Sequence, residues 1–306
     1  MKFLKIHIVF LLGCFLPLFL NAQIQIQDAN LKGYLWRYEK VQSKYVGSRN
    51  VDVWLPENYQ SDGSVKYAVL YVHDGQNLFF PGVSFSGQEW GLDEAMDSLL
   101  KLGQIRNTIV VGIWNTPARL LEYTPENKII SRDSLQANKM KWELTSSALS
   151  DAYLQFIFEE LKPLIDSQFV TKTDMRNTFM MGGNMGALIS LSALCKYPDQ
   201  VKGIACIGMQ WPVSFMEKRE LDIQHYIDYY RHYLPNPALH KIYFDVDASM
   251  RNAWNMRQQA YMDEHCYANA YGSAKNFMSL IFDDNLKQES EWRKRLAIPI
   301  LFLLKK

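Results

Sequence analysis

The stretch from Thr178 to Leu194 constrains the fold of this chain most. A short apolar run, Thr178–Met181, is followed by Gly182-Gly183-Asn184-Met185-Gly186 and then by the apolar segment Ala187–Leu194. Glycine has no Cβ, so Gly182 and Gly186 allow a strand and the following helix to approach closely around a sharp turn. The sequence therefore predicts a buried strand, a tight turn centred on Asn184 and a buried helix.

Short apolar, β-branched runs alternate with segments of helical periodicity along the rest of the chain. The runs that predict buried strands are Val51–Leu55, Tyr67–Val72, Thr108–Trp114, Thr178–Met181, Val201–Met209, Ile242–Val246 and Phe277–Phe282. Helices are predicted from Asp151 and over Met185–Lys196, Arg251–Cys266 and Glu289–Leu304. This alternation predicts an α/β fold with a mainly parallel central sheet, helices on both faces and ligands beyond the carboxyl ends of the strands.

The first residues have the order of a secretory signal peptide. Lys2 and Lys5 precede the apolar run Ile8–Leu20 and the small-residue sequence Asn21-Ala22-Gln23, and this order predicts removal of residues 1–22. Residues 23–306 are then one domain in the periplasm or outside the cell. Two alternatives are a membrane anchor, for which the run is short, and lipoprotein anchoring through Cys14.

Composition argues against several classes of partner. The formal net charge is +1 and no Lys/Arg block occurs, so nucleic acid and anionic membrane surfaces are not expected partners. The predicted mature chain keeps three of the four cysteines, Cys195, Cys206 and Cys266. Because this number is odd and two of them lie in apolar segments, free thiols are expected rather than a disulfide framework. The spacing of cysteines and histidines gives no zinc motif, and no metal or cofactor is predicted.

The turn at residues 182–186 resembles a nucleophile elbow, GxSxG, with Asn184 where serine normally stands. Other segments extend the resemblance to the putative-esterase family of α/β-hydrolases, which includes esterase D and enterochelin-esterase-like proteins. These segments are Asn50–Pro56, Tyr71–Phe79, Phe85–Asp93, Val111–Pro117 and Glu122–Pro125. The resemblance implies an α/β-hydrolase fold in which a serine attacks an ester or thioester, a histidine takes its proton and an acid orients the histidine.

Each of the three catalytic positions that the resemblance implies holds a different residue. The carboxamide of Asn184 is not a nucleophile toward a carbonyl carbon. The histidine position falls on Lys287, in an alignment fixed by Glu289 and Trp292. A lysine of ordinary pKa is protonated at neutral pH and is a poor general base.

The acid position falls on Asn252, and Asp247 stands where the family has glycine. Acids at strand ends shift by a few residues, so Asp245 or Asp247 are alternatives for this role. Of the histidines, His73 is interpreted as structural and the others have no partner at the elbow that the sequence identifies. The triad is therefore degenerate, and we expect Asn184, Asn252 and Lys287 to converge in one cleft, with Lys287 paired to Asp247 or Asp284.

The oxyanion hole consists of backbone N–H groups and can outlast changes of side chain. By resemblance its donors are Met185 and either Gly75 or Gln76. Two interpretations remain open at this point: a retained pocket for a carbonyl or carboxylate oxygen, or loops whose glycines serve only the turns.

Three functions are compatible with these residues. The first is an exported, catalytically inactive esterase-like protein whose cleft binds a small molecule or a partner protein. The alternative is an active ester hydrolase with rearranged residues, for example Asn184 deamidated to aspartate. A third is a site for a hard cation built from Asp245, Asp247, Asp283 and Asp284.

Overall fold

The structure is a computed structural model that describes residues 23–125, 148–209, 211, 220–247, 253–272, 275–282 and 289–306. The side chains of residues 220–226, 253–254 and 289–291 are not part of this description. Residues 1–22, which the sequence predicts to be a signal peptide, lie outside it, as do Asn252, Asp283, Asp284 and Lys287.

The described residues form a sheet of nine strands in the order β1-β2-β3-β5-β4-β6-β7-β8-β9. The strands are β1 (Gln23–Ile26), β2 (Tyr34–Val41), β3 (Arg49–Leu55), β4 (Ala68–His73), β5 (Thr108–Ile113), β6 (Thr178–Gly183), β7 (Gly203–Ile207), β8 (Lys241–Asp247) and β9 (Phe277–Phe282). Strands β4 to β9 are mutually parallel, and β1 to β3 join them through antiparallel pairing of β3 with β5. The predicted α/β fold with a mainly parallel sheet is confirmed.

Helices cover both faces of the sheet. They are α1 (Leu92–Lys101), α2 (Arg119–Tyr123), α3 (Ser150–Gln155), α4 (Lys162–Gln168), α5 (Met185–Lys196), α6 (Glu220–Tyr233), α7 (Ala253–Ala268), α8 (Glu289–Arg295) and α9 (Ala297–Leu304). The π-helical segment Phe156–Leu161 connects α3 to α4.

The helix predicted over Glu289–Leu304 is two helices. Pro299 lies in the first turn of α9. Because proline has no N–H, it cannot donate to the carbonyl of Arg295 four residues earlier, and α8 ends at that residue.

Each face of the sheet has its own hydrophobic core. One core packs α3 to α7 against side chains such as Tyr71, Met180 and Phe244. The other packs α1, α8 and α9 against Leu70, Phe179 and Tyr243. In the part of the chain described, no helix is both long and apolar enough to cross a membrane.

Candidate functional site: an elbow without a nucleophile

The sharp turn between β6 and α5 has the predicted form. Asn184 has φ 51° and ψ −112°. Residues other than glycine rarely adopt a positive φ, and asparagine tolerates it better than most. Its N–H donates to the carbonyl of Ile207 (3.0 Å), and its own carbonyl accepts from Ala187 (3.1 Å). The turn is therefore held to the neighbouring strand β7 and to the first turn of α5.

Glycines let the elbow pack closely. A Cβ on Gly182 would lie 2.4 Å from the backbone of Gly186, and a Cβ on Gly183 would lie 2.4 Å from the ring of Trp292. Real Cβ atoms do not approach other atoms this closely. The first turn of α5 can therefore pack against β6 only with glycine at 182, and Trp292 of α8 can pack there only with glycine at 183. The shape of the elbow is preserved although its central residue has no hydroxyl group.

The loop after β4 lies beside the elbow. Asp74 has left-handed φ and ψ (58°, 46°), and a Cβ on Gly186 would lie 3.5 Å from its Oδ2. Arg119 donates to both Asp74 oxygens (2.7 and 2.8 Å) and Asn115 Nδ2 donates to Oδ1 (2.6 Å). The N–H of Asn115 in turn donates to Oε1 of Gln76 (3.1 Å), so the loop that carries Gly75 and Gln76 is fixed by a polar network.

His73 belongs to the core below this loop. It is fully buried, and its Nδ1 lies 2.8 Å from the hydroxyl of Tyr153. Burial lowers the pKa of His73 to about 4, so the imidazole is neutral at physiological pH. His73 is therefore a neutral, buried imidazole that is hydrogen-bonded to Tyr153, which agrees with the structural role expected from the sequence.

Two carboxylates at the end of β8 bind one guanidinium. Arg295 of α8 donates to Asp245 (3.2 Å) and to Asp247. Asp245 also accepts from the N–H of Gly208 (2.6 Å) and from Tyr243 (2.9 Å). Burial raises the pKa of Asp245 to about 6, against the opposing effect of Arg295.

Asp247 is the carboxylate that reaches the elbow. Its Oδ2 accepts from Trp292 Nε1 at 3.2 Å, and a Cβ on Gly208 would lie 3.0 Å from this oxygen and 3.4 Å from Asn184 Oδ1. Asn184 Oδ1 is buried and, within the described part of the chain, has no hydrogen-bond partner. Two acceptor oxygens therefore border the same small space.

The sequence did not indicate Arg295 as the partner of these acids. The signal available was its position three residues after Trp292, which places both side chains on one face of α8. Lys287 and Asn252 lie outside the described residues, so their convergence with Asn184, and the pairing of Lys287 with an acid, stay predictions. The proposed cation site loses support from Asp245 and Asp247, because both already bind Arg295.

The described residues at the elbow do not supply the serine mechanism. Cys206 of β7 is fully buried against α5, and its thiol donates to the carbonyl of Ala187 (3.2 Å). Burial also raises its pKa well above the usual value, and a buried, protonated thiol is inert. The three described cysteines are free and buried, as predicted.

Solved structures share this architecture. An IroE-like serine hydrolase from Shewanella oneidensis aligns over 92% of this chain and 79% of its own, with 20% identity and a TM-score of 0.62. Enterochelin esterase from Shigella flexneri aligns over 85% of this chain and 56% of its own (16% identity, TM-score 0.58). A ferulic acid esterase aligns over 90% of this chain and 99% of its own (14% identity, TM-score 0.62). At these identities the likeness establishes the fold alone.

Two curated proteins of Bacillus subtilis (strain 168) are similar in sequence. "Uncharacterized protein YbbA" is 27% identical over 167 residues, which are 54% of this chain and 58% of that protein. "Uncharacterized protein YjcH" is 26% identical over 172 residues, 56% of this chain and 57% of that protein. The alignments thus span under three fifths of each relative. The family model described as Putative esterase matches residues 43–220, more than half of the chain, and the protein belongs to that family.

Proposed function

We propose that this protein is a catalytically inactive member of the esterase family that uses the elbow cleft to bind a ligand. The observation that carries the proposal is Asn184, which occupies the strained elbow position at φ 51° with a carboxamide in place of a nucleophile. Such strain persists only where the surrounding structure maintains it. Here the fold maintains the elbow after the hydroxyl has been lost.

The acid side of the former triad supports the same conclusion. Asp247 borders the space beside Asn184, but its hydrogen bonds go to Arg295 and Trp292. Asp247 thus forms an ion pair with a guanidinium. In the serine mechanism the acid of the triad instead orients a histidine. His73 is enclosed by Tyr153 and cannot take the role of the base.

The ligand we propose carries a carbonyl or carboxylate oxygen and an aromatic ring. Met185 is the first residue of α5, where backbone N–H groups have no acceptor within the helix, and the Asp74 network fixes the loop that carries Gly75 and Gln76. Phe85, whose N–H donates to Asn77 Oδ1 (3.0 Å), is 92% exposed close to this loop. Solved relatives of this fold act on ferulic acid and enterochelin esters by their descriptions, and a feruloyl group has both features.

Export is part of the proposal. The order of basic, apolar and small residues over positions 1–22 supports removal of this segment and a mature domain of residues 23–306 in the periplasm or outside the cell. Comparison of the amino-terminal sequence of the protein in cell and envelope fractions tests this step separately from ligand binding.

The experiment uses the mature chain with methyl ferulate as probe. Isothermal titration is expected to show binding, and chromatography of the same mixture is expected to show no ferulate release above the buffer rate. The variant that tests the site is Gly186→Val. It places a bulky side chain against His73 and Asp74 and is expected to abolish binding.

Two further variants separate a lost mechanism from a hidden one. Asn184→Ser alone is expected to stay inactive, because no base is supplied. The triple variant Asn184→Ser, Asn252→Asp, Lys287→His is expected to release ferulate. Turnover by the wild-type chain, or by Asn184→Ser alone at ordinary enzymatic rates, would establish the alternative of an active hydrolase with rearranged residues.

A further inference from the structure

A row of basic residues runs along the amino-terminal ends of the parallel strands, at the end of the sheet opposite to the elbow. We call this end of the sheet the basic edge. Each of the six parallel strands has a lysine or arginine at its first residue or at most two residues before it. In sheet order from β5 to β9 these are Arg106, Lys66, Arg176, Lys202, Lys241 and Lys275. Lys305, after α9, joins them because Ile105 pairs with it in a β-bridge.

Parallel topology produces this row. The amino ends of parallel strands meet at one edge, and neighbouring strands are about 4.8 Å apart, so six strands spread the charges over about 24 Å. The sequence does not show the row, since every charge comes from a separate segment. This explains how a chain of net charge +1 without a basic block has a strongly basic edge.

Several of these basic side chains donate hydrogen bonds to backbone carbonyls. A carbonyl is neutral, so the positive charge of the side chain is not compensated. Arg106 donates to the carbonyls of Arg176 (3.4 Å) and Lys305 (3.3 Å). Lys241 donates to the carbonyl of Phe302 (2.8 Å), and Lys202 to that of Leu239. These contacts hold the side chains in place.

Acidic residues near the row are few. Among the described residues, none of the seven cations has a carboxylate within ion-pair distance. Asp174 precedes β6 and accepts from the N–H of Arg176 and from Asn177 Nδ2, and its charge offsets part of that of Arg106. Asp199 is a second acid on this side of the sheet, and its charge acts on His240. The positive charge of the edge therefore exceeds the negative charge.

The pKa values of two members respond to this excess. Burial, followed by the charges of Arg106, Lys202 and Lys305, lowers the pKa of Lys241 to about 8. Burial, followed by Arg106 and Arg176, lowers the pKa of Lys202. A bound anion would relieve the repulsion among these groups.

We propose that this edge binds an acidic polysaccharide, which lies along the row of cations from β5 to β9. Charges spaced at strand intervals fit an extended chain with repeated carboxylates or sulfates better than one small anion. Phe179 and Phe302 beside the row are buried, and Tyr267, which is 57% exposed, packs edge-on against Phe277 at the β9 end of the row. One exposed ring at the end of the row does not give a series of platforms for the bases of a single-stranded nucleic acid. The exposed leucines of this edge, Leu102 and Leu239, are isolated side chains rather than an apolar patch for a membrane.

The test measures binding of heparin, an available acidic polysaccharide, to the full mature protein, with neutral dextran as the control polymer. The variant is Lys66→Gln, Arg176→Gln, Lys305→Gln, three exposed members whose side chains hold no other described element. The matched control is Lys40→Gln, Lys44→Gln, Arg257→Gln, which removes the same charge at exposed positions away from this edge.

The edge variant is expected to bind heparin at least about tenfold more weakly, and the control within twofold of wild type. The dependence of log affinity on log salt concentration should become shallower by close to half, because about three of seven contacts are lost. Equal unfolding midpoints of the variants confirm that the fold is intact. Equal loss in both variants, no heparin binding by wild type, or tighter binding to phosphatidylglycerol vesicles or an oligothymidylate would overturn the proposal.

Discussion

Two fully buried groups should make the stability of this protein depend on pH in opposite directions. Burial lowers the pKa of His73 from 6.5 to about 4, so the unfolded chain binds a proton more readily, and the free energy of unfolding falls as pH falls from about 6.5 toward 4. Burial raises the pKa of Asp245 from 3.8 to about 6. The native state then binds the proton more readily, and stability rises as pH falls from about 6 toward 3.8.

The two contributions are of similar size. One pKa unit corresponds to about 1.4 kcal/mol, so between pH 7 and 4.5 each group contributes about 2 kcal/mol, with opposite sign. In the wild-type protein they nearly cancel. Each single substitution should therefore change the pH dependence of the unfolding free energy relative to wild type, in opposite directions for the two groups.

The variants are His73→Asn, which keeps a polar atom facing Tyr153, and Asp245→Asn, which keeps the shape of the carboxylate. Urea unfolding of each at pH 7.0 and 4.5 gives the change in unfolding free energy on acidification, and this difference cancels the packing cost of each substitution. Relative to wild type, His73→Asn should lose about 2 kcal/mol less and Asp245→Asn about 2 kcal/mol more. A wild-type pH dependence in either variant, or shifts in the same direction, would refute the reasoning.

Three other substitutions test how the site is held together. Gly183→Ala should lower the free energy of unfolding by about 1–3 kcal/mol, because its Cβ meets Trp292; denaturant unfolding measures this, and addition of Trp292→Leu should recover part of the loss. Arg49→Met should cost about 3–5 kcal/mol by leaving Glu122 buried without its bidentate partner (2.6 and 3.0 Å), and the double variant with Glu122→Leu should be more stable than the single one. Asn184→Gly should be at least as stable as wild type by thermal unfolding, since glycine removes the strain at φ 51°, whereas a marked loss would show that the carboxamide is needed for folding.

Most of the strands that the sequence predicts are buried on both faces. Runs such as Thr178–Met181 and Tyr67–Val72 are continuous in apolar residues because helices cover both faces of a parallel sheet, whereas Phe277–Phe282 is an outer strand of partly exposed residues. Strand β2 (Tyr34–Val41) was not predicted, since it lies near the edge of the sheet and mixes exposed polar with buried apolar residues. The helix α1 was also missed, although its apolar residues form one buried face.

The site was predictable where it depends on local geometry. Glycines around Asn184 indicate an elbow from sequence alone, because close approach of strand and helix requires them. The binding of Arg295 by Asp245 and Asp247 joins segments about fifty residues apart in the chain. Neither that ion pair nor the basic edge has a local signature, since both arise from the packing of α8 and from the parallel order of the strands.

The most direct test of the central claim is mass spectrometry of the mature protein after treatment with a fluorophosphonate. This reagent forms a covalent adduct with an activated serine, and Asn184 offers it no hydroxyl. The account predicts that the intact mass stays unchanged, while an active family esterase treated in parallel is fully labelled. An adduct on the peptide that contains Gly182–Gly186, or on any serine of the cleft, would contradict the proposal that this protein does not use the serine mechanism.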